Sequence, residues 1–251
     1  MTMTSYRALT ITLFRSQLRE PVGLFFSLIF APLLVLILGL IFDTGPDPVF
    51  GGRSFIEATL PAFPSLVLAT IGVVMVPVGQ LSLRESGALR RLRLTPLRPS
   101  TFVAADLTVN FMIGIIGMMA ALAVGWAVFG ASPSGNVVLM LLAAALGLLA
   151  FLALGYTLAA IYPSSGAATG IGNVLMLLLM LSSGAFVPLA TMPEGVQAVM
   201  NFSPVRHFAV LMQGLWEGQT WSSLLFPTGI LVAMIIVFGT LGSLLFRWDR
   251  A

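Results

Sequence analysis

From Leu107 to Pro193 the chain runs for 87 residues without one formally charged side chain. A soluble domain carries charge on roughly a quarter of its residues. This chain carries it on 8%, so no large water-facing surface can be built from it. A helix needs about 20 apolar residues to cross the hydrocarbon core, and the uncharged run alone holds several crossings. The apolar stretches are continuous and lack the in-out alternation of an outer-membrane strand, which leaves helices as the spanning element. The expected fold is an all-α integral membrane protein, a single domain over 1–251. Its six spans fall at about 22–42, 58–82, 103–129, 137–161, 168–187 and 224–246.

Charge then orients the chain. All 12 basic residues are arginine. Arg7, Arg15 and Arg19 precede the first span, Arg84, Arg90, Arg91, Arg93 and Arg98 lie between the second and third, and Arg247 and Arg250 follow the sixth. Only Arg53 and Arg206 fall on the other side. The positive-inside rule therefore places both termini in the cytoplasm of a multi-pass membrane protein. Topology accounts for these arginines, so they do not argue for a nucleic-acid partner. The absence of cysteine removes disulfides, zinc-thiolate sites and iron–sulfur clusters.

Segments outside the spans have their own patterns. Residues 4–19 suit a helix on the inner membrane surface, with Tyr6, Leu9 and Leu13 on one face and Arg15 and Arg19 roughly opposite. Residues 43–56 read as an external turn. Residues 184–222 hold Pro188, Pro193 and Pro204 and apolar patches too short to cross, which suits re-entrant or interfacial helices on the outer face. The densest charge is Arg84–Arg98, where six of fifteen residues are charged. Ser86 can cap a short helix there, Leu89 and Leu92 share a face open to a partner's groove, and Pro96 and Pro99 end it. Ser100 can cap the third span.

Little in the chain can do covalent chemistry. A phosphate-binding loop requires a lysine, and there is none; no catalytic, cofactor or metal set is expected. His207 reads as a polar loop residue beside Arg206. Asp106, Asn110 and Asn173 are the candidates for a pathway or inner vestibule. Asp106 and Asn110, spaced i, i+4, share a face of the third span, where the expectation for the carboxylate is an arginine partner from the preceding loop. Gly166 and Gly170 form a GxxxG pair opening the fifth span.

The run Arg84-Glu85-Ser86-Gly87-Ala88-Leu89-Arg90-Arg91-Leu92-Arg93-Leu94-Thr95-Pro96-Leu97 resembles the E-x-G-T-L-x-x-L-x-x-T-P-L loop of ABC-2 type permeases. The 183–193 run and Phe202-Ser-Pro-Val are similar to that family's outer segment, and drug-exporter permeases of the daunorubicin-resistance type are nearest in size. Ala88 stands where the family often has threonine, and Leu60-Pro61-Ala62 where Leu-Pro-Gly is common. The resemblance implies the ABC-2, or type V exporter, fold, with an amino-terminal interfacial helix, a cytoplasmic coupling helix after span two and re-entrant helices before span six. It implies ATPase coupling through Glu85, Gly87, Leu89, Arg90, Arg91, Leu92, Thr95 and Pro96. It also implies a separate ABC ATPase that holds ATP and magnesium, a second permease copy or a paralogous permease, and an amphipathic drug or lipid-like substrate. The alternative is an ATP-independent channel or assembly scaffold.

Overall fold

The computed structural model describes residues 3–93, 98–186 and 192–245. Helix α1 (Met3–Gln17) leads into α2 (Pro21–Phe42), α3 (Phe55–Glu85), the short α4 (Ala88–Arg93), α5 (Pro99–Phe129) and α6 (Val137–Ile161). There follow α7 (Ser165–Ser182), the short α8 (Glu194–Met200), α9 (Pro204–Trp216) and α10 (Trp221–Leu245), whose first turn is 3₁₀. Among the described residues no strand forms. Six of these helices are long and apolar enough to cross a membrane, and they fall on the six expected spans. Six crossings put α1, α4 and the 162–164 turn at one end, the basic end, and residues 43–54, α8 and α9 at the other. Arg247 and Arg250 lie outside the described residues.

The second span, α3, forms the centre of the bundle, and prolines explain its shape. Pro61 opens a 3₁₀ turn at Leu60–Ala62 and Pro64 restarts the helix. Pro77 cannot donate to Val73, and the turn just before it, Ile71–Met75, widens into a π-helix. Glycines on neighbouring spans close around that irregular stretch. Gly155 of α6 faces the Gly72 carbonyl and Gly172 of α7 faces the Val73 carbonyl, each with no room for a Cβ. The GxxxG pair expected to matter in α7 does not pack this way: Gly170 has open space and Gly166 only the Ser164 hydroxyl near it. A second π turn, Phe25–Ile29, precedes Pro32 in α2, and Gly117 of α5 lies against the Ser27 carbonyl there.

Helix α1 runs along α5, with the Tyr6 hydroxyl 2.7 Å from that of Thr108. Tyr6, Leu9 and Leu13 are half-buried while Arg7, Arg15 and Ile11 are exposed, so the apolar face meets protein. At the opposite end, Asp47 caps the 3₁₀ turn Pro48–Phe50, and Ser54 with Glu57 forms a capping box that starts α3. Helix α9 buries Phe208, Leu211, Met212 and Leu215 against the bundle, its Phe208 ring filling the space beside Gly147 of α6. His207 is half-buried on α9, edge-on to Phe226 at 5.6 Å, rather than in a loop.

An ion pair ties this end together: Arg53 Nη1 lies 2.7 Å from Glu217 Oε1. Burial raises the Glu217 pKa, but hydrogen bonds from Gln213 and Arg53, together with the Arg53 charge, outweigh it and hold the carboxyl below its usual range. A carboxyl with a depressed folded pKa stabilises the fold at neutral pH and loses that contribution as pH falls through the depressed value. We therefore expect a small melting-temperature gap between the wild type and Arg53→Gln at pH 7. The gap should close below the ordinary carboxylate range. A gap that is constant with pH would show that the pair contributes nothing.

Candidate functional site

The basic end carries both groups of residues singled out in the sequence. The first is the α3–α4 corner. Helix α3 ends at Glu85, and Gly87 turns the chain with φ +69, a left-handed conformation that side chains other than glycine adopt at a cost. Its N–H bonds the Arg84 carbonyl and its own carbonyl accepts from Arg91, so one glycine closes α3 and opens α4. The expectation that Ser86 caps α4 is corrected. Its hydroxyl donates back to the Leu83 carbonyl at 3.3 Å and belongs to the end of α3. Likewise α5 starts at Pro99, where a proline's fixed φ and missing N–H suit the first helical position, and not from a Ser100 cap.

Two further expectations about this corner change. Leu89 is only 5% exposed, so it fastens α4 to its own chain and is not a free knob for a partner. The sequence pattern gives Leu89 an apolar face but does not say which protein covers it. Glu85, though exposed, is engaged within the chain: its Oε1 accepts from the Ser165 N–H at 2.7 Å and its Oε2 from the Ser165 hydroxyl. A carboxylate at a helix N-terminus is stabilised by the orphan N–H groups and the dipole there, so Glu85 joins the corner to the start of α7. Arg91 is exposed on α4 and Arg98 just before α5. The backbone of α4 includes Arg90 and Leu92, but their side chains, with Thr95 and Pro96, lie outside the described residues.

The second group forms a cavity of about 450 Å³ behind that corner. Its walls come from the end of α1 (Gln17), the start of α2 (Phe26), the π turn and following turns of α3 (Met75, Gln80), α5 (Asp106, Asn110) and α7 (Asn173, Met176). All three residues proposed for a vestibule therefore line one space. Asp106 is 7% exposed, and among the described residues no arginine pairs with it; three neutral donors converge on its Oδ2. Gln80 Nε2 donates at 2.8 Å, Asn110 Nδ2 at 3.2 Å, and the Tyr156 hydroxyl of α6 makes a short hydrogen bond. The reason is depth. Asp106 lies two turns inside α5, facing α3 and α6, whereas Arg91 and Arg98 are exposed. Gln80 Oε1, buried in the same wall, has no hydrogen-bond partner.

Gln80 and Tyr156 escape a motif search because neither has a charge or a spacing that marks it. Their signal was isolation: a glutamine and a tyrosine within apolar spans each need a polar neighbour. The cavity has apolar surface from Phe26, Val74, Met75 and Met176 and polar surface from the Asp106 cluster, which suits a molecule with both characters. Among the described residues no cluster of histidine, aspartate and glutamate could hold a metal ion.

Comparison with known proteins gives the same placement. The profile of the ABC-2 family transporter proteins matches residues 48–244. A Bacillus subtilis protein named as a transport permease, YvfS, is 30% identical over 210 residues, covering 73% of this chain and 72% of its own. The Escherichia coli inner membrane transport permease YhhJ is 25% identical over 219 residues, 86% of this chain, and the chain spans only 56% of that relative's length. With six apolar spans, a Glu85–Gly87 corner after the second and a match over most of its length, the chain belongs to the ABC-2 family of transporter membrane proteins.

Proposed function

We propose that the chain is the permease subunit of an ATP-driven exporter and that an ABC ATPase docks on α4 at the basic end. The observation that carries this reading is the adjacency of corner and cavity. Glu85 links α4 to the first turn of α7, and α7 supplies Thr169, Asn173 and Met176 to the cavity wall. A push on α4 would thus reach the wall through two helices, α3 and α7. The arginine distribution supports a cytoplasmic basic end, cytoplasmic termini and an outer face bearing α8 and α9. ATP and magnesium would belong to the partner, since a chain without lysine cannot form the phosphate loop.

The substrate in this reading is amphipathic, drug-like or lipid-like. Its polar part carries hydrogen-bond donors, because the wall holds the carboxylate of Asp106 and the side-chain amides of Asn110 and Asn173. A second cavity, of about 480 Å³, lies at the opposite end between α3 and α9. Residues of α3 line both, and α7 supplies Thr169, Asn173 and Met176 to the inner one and leads directly to Ser183 and Gly184 of the outer one, so the route follows these two helices. Asn173 is exposed on α7 between Ile171 and Val174. An amide is costly against hydrocarbon, so that face suits a second permease copy or a paralogous one better than lipid.

The test is reconstitution. The purified chain alone should not turn over ATP, and vesicles holding it with its co-eluting ATPase should move substrate only with ATP and magnesium. Substrate movement by the chain alone would favour an ATP-independent channel, and co-elution without any movement an assembly scaffold.

A further inference from the structure

The cavity at the end opposite α4 carries a charge that the transport reading does not use. It is lined by two guanidinium groups, Arg53 and Arg206, and one carboxylate, Glu217. Arg53 and Glu217 satisfy each other at 2.7 Å, and Gln213 Nε2 donates to the same Glu217 oxygen at 2.7 Å. Arg206 is left over. It is half-buried on α9, and its Nε is fully buried with no hydrogen-bond partner. Nearby acids are committed elsewhere: Asp43, Asp47 and Glu57 accept backbone N–H groups of Ile56, Val49 and Ser54, and none of the three lines the cavity. His207 adds no second cation at neutral pH, because burial and then the Arg206 charge hold it below its ordinary range.

A half-desolvated guanidinium without a counter-charge costs free energy, and an unpaired buried N–H in a native structure calls for an occupant. The remaining walls describe that occupant. Val49, Phe50 and Val210 give apolar surface, while Ser183 and Gln219 add neutral polar groups. We infer that this cavity binds an anionic amphiphile whose phosphate or carboxylate pairs with Arg206 and whose apolar portion lies along Phe50 and Val210. The planar guanidinium fork suits such an oxyanion. The site uses no residue of the α4 corner or of the cavity behind it, and stands whether or not the chain proves to be an ATP-driven permease.

The experiment uses the full chain in nanodiscs of equal phosphatidylglycerol and phosphatidylcholine, with retained lipid counted by native mass spectrometry. Phosphatidylglycerol should be retained over phosphatidylcholine by about fivefold, the yield of one partly screened ion pair. Arg206→Gln should bring the ratio to parity, and Arg206→Lys should keep part of it. Octyl phosphate, added to chain in phosphatidylcholine alone, should raise the melting temperature of the wild type but not of Arg206→Gln. If only octyl phosphate acts, the occupant is a diffusible organophosphate and not a bilayer lipid, and the anion site stands. Equal retention of both lipids with no octyl phosphate shift overturns the proposal, as does an Arg206→Gln variant that responds like wild type. Should that variant fail to fold, displacement of phosphatidylglycerol from the wild type by octyl phosphate, with no effect of octyl glucoside, supports the site; equal displacement by both overturns it.

Discussion

Replacing Asp106 with alanine should lower the stability of the chain by roughly 2 kcal/mol, taking about 0.6 kcal/mol for each of three intramembrane hydrogen bonds. Three donors from three helices, Gln80 of α3, Asn110 of α5 and Tyr156 of α6, converge on one oxygen; alanine removes that acceptor from all three, and only Asn110 keeps a second bond, to the carbonyl of residue 106. Thermal unfolding in detergent measures the loss. Tyr156→Phe removes one donor and keeps the acceptor, so it should cost about a third as much. In the double variant the Tyr156→Phe change should cost little more, because its partner is already gone. Asp106→Asn separates structure from transport: an amide still accepts from Tyr156 but presents no charge to the cavity. The wild-type melting temperature with reduced substrate movement would place Asp106 on the route. Unchanged movement by Asp106→Asn would restrict it to holding three helices together.

The second large effect is expected at Leu89, and its sense differs from what the sequence pattern suggests. A leucine facing a partner's groove would leave the isolated chain unharmed when truncated. Leu89 is buried within its own chain, so Leu89→Ala should cost about 2–3 kcal/mol, taken mainly as loosening of the short helix α4. If α4 is the docking element, that cost appears as weaker ATPase retention, of the order of thirtyfold at 2 kcal/mol. Arg91→Ala tests the outward side of the same helix. Arg91 is exposed, so the variant should melt like wild type yet retain less ATPase, more so at higher salt. Removing Arg90, Arg91 and Arg93 together tests topology instead, through misinsertion. A Leu89→Ala chain with normal ATPase retention and normal transport would sink the coupling reading.

Among the site residues, those legible in advance were marked by charge or by the family loop pattern. Gly87 was marked only by that pattern; that it closes one helix and opens the next is a finding of the structure, since the expected cap was Ser86. Asp106 stands out because a carboxylate within an apolar span is costly and must be answered. What answers it was not legible. The expectation of an arginine follows from pairing charges along the sequence, whereas Gln80 lies 26 residues away and Tyr156 lies 50. Glu85 shows the same limit: its partner Ser165 is 80 residues distant and carries no signature beyond opening a helix.

The sequence by itself determined that the chain is helical, that it holds six helices long and apolar enough to cross, and roughly where each lies, the fifth ending at Ser182 and not near 187. Those properties depend on the transfer of consecutive side chains into hydrocarbon and on local caps and prolines, and both are counted along the chain. The family likeness was legible for a similar reason, since the Glu85–Pro96 run is contiguous. Only the tertiary structure decided which polar groups meet. Inside lipid the apolar faces of helices are nearly equivalent, so rotation and depth are set by close approaches such as Gly155 on Gly72 and Gly172 on Val73. Those approaches turn Asp106 toward Gln80 and Tyr156, turn Leu89 inward, and leave Arg206 facing a cavity without a counter-charge.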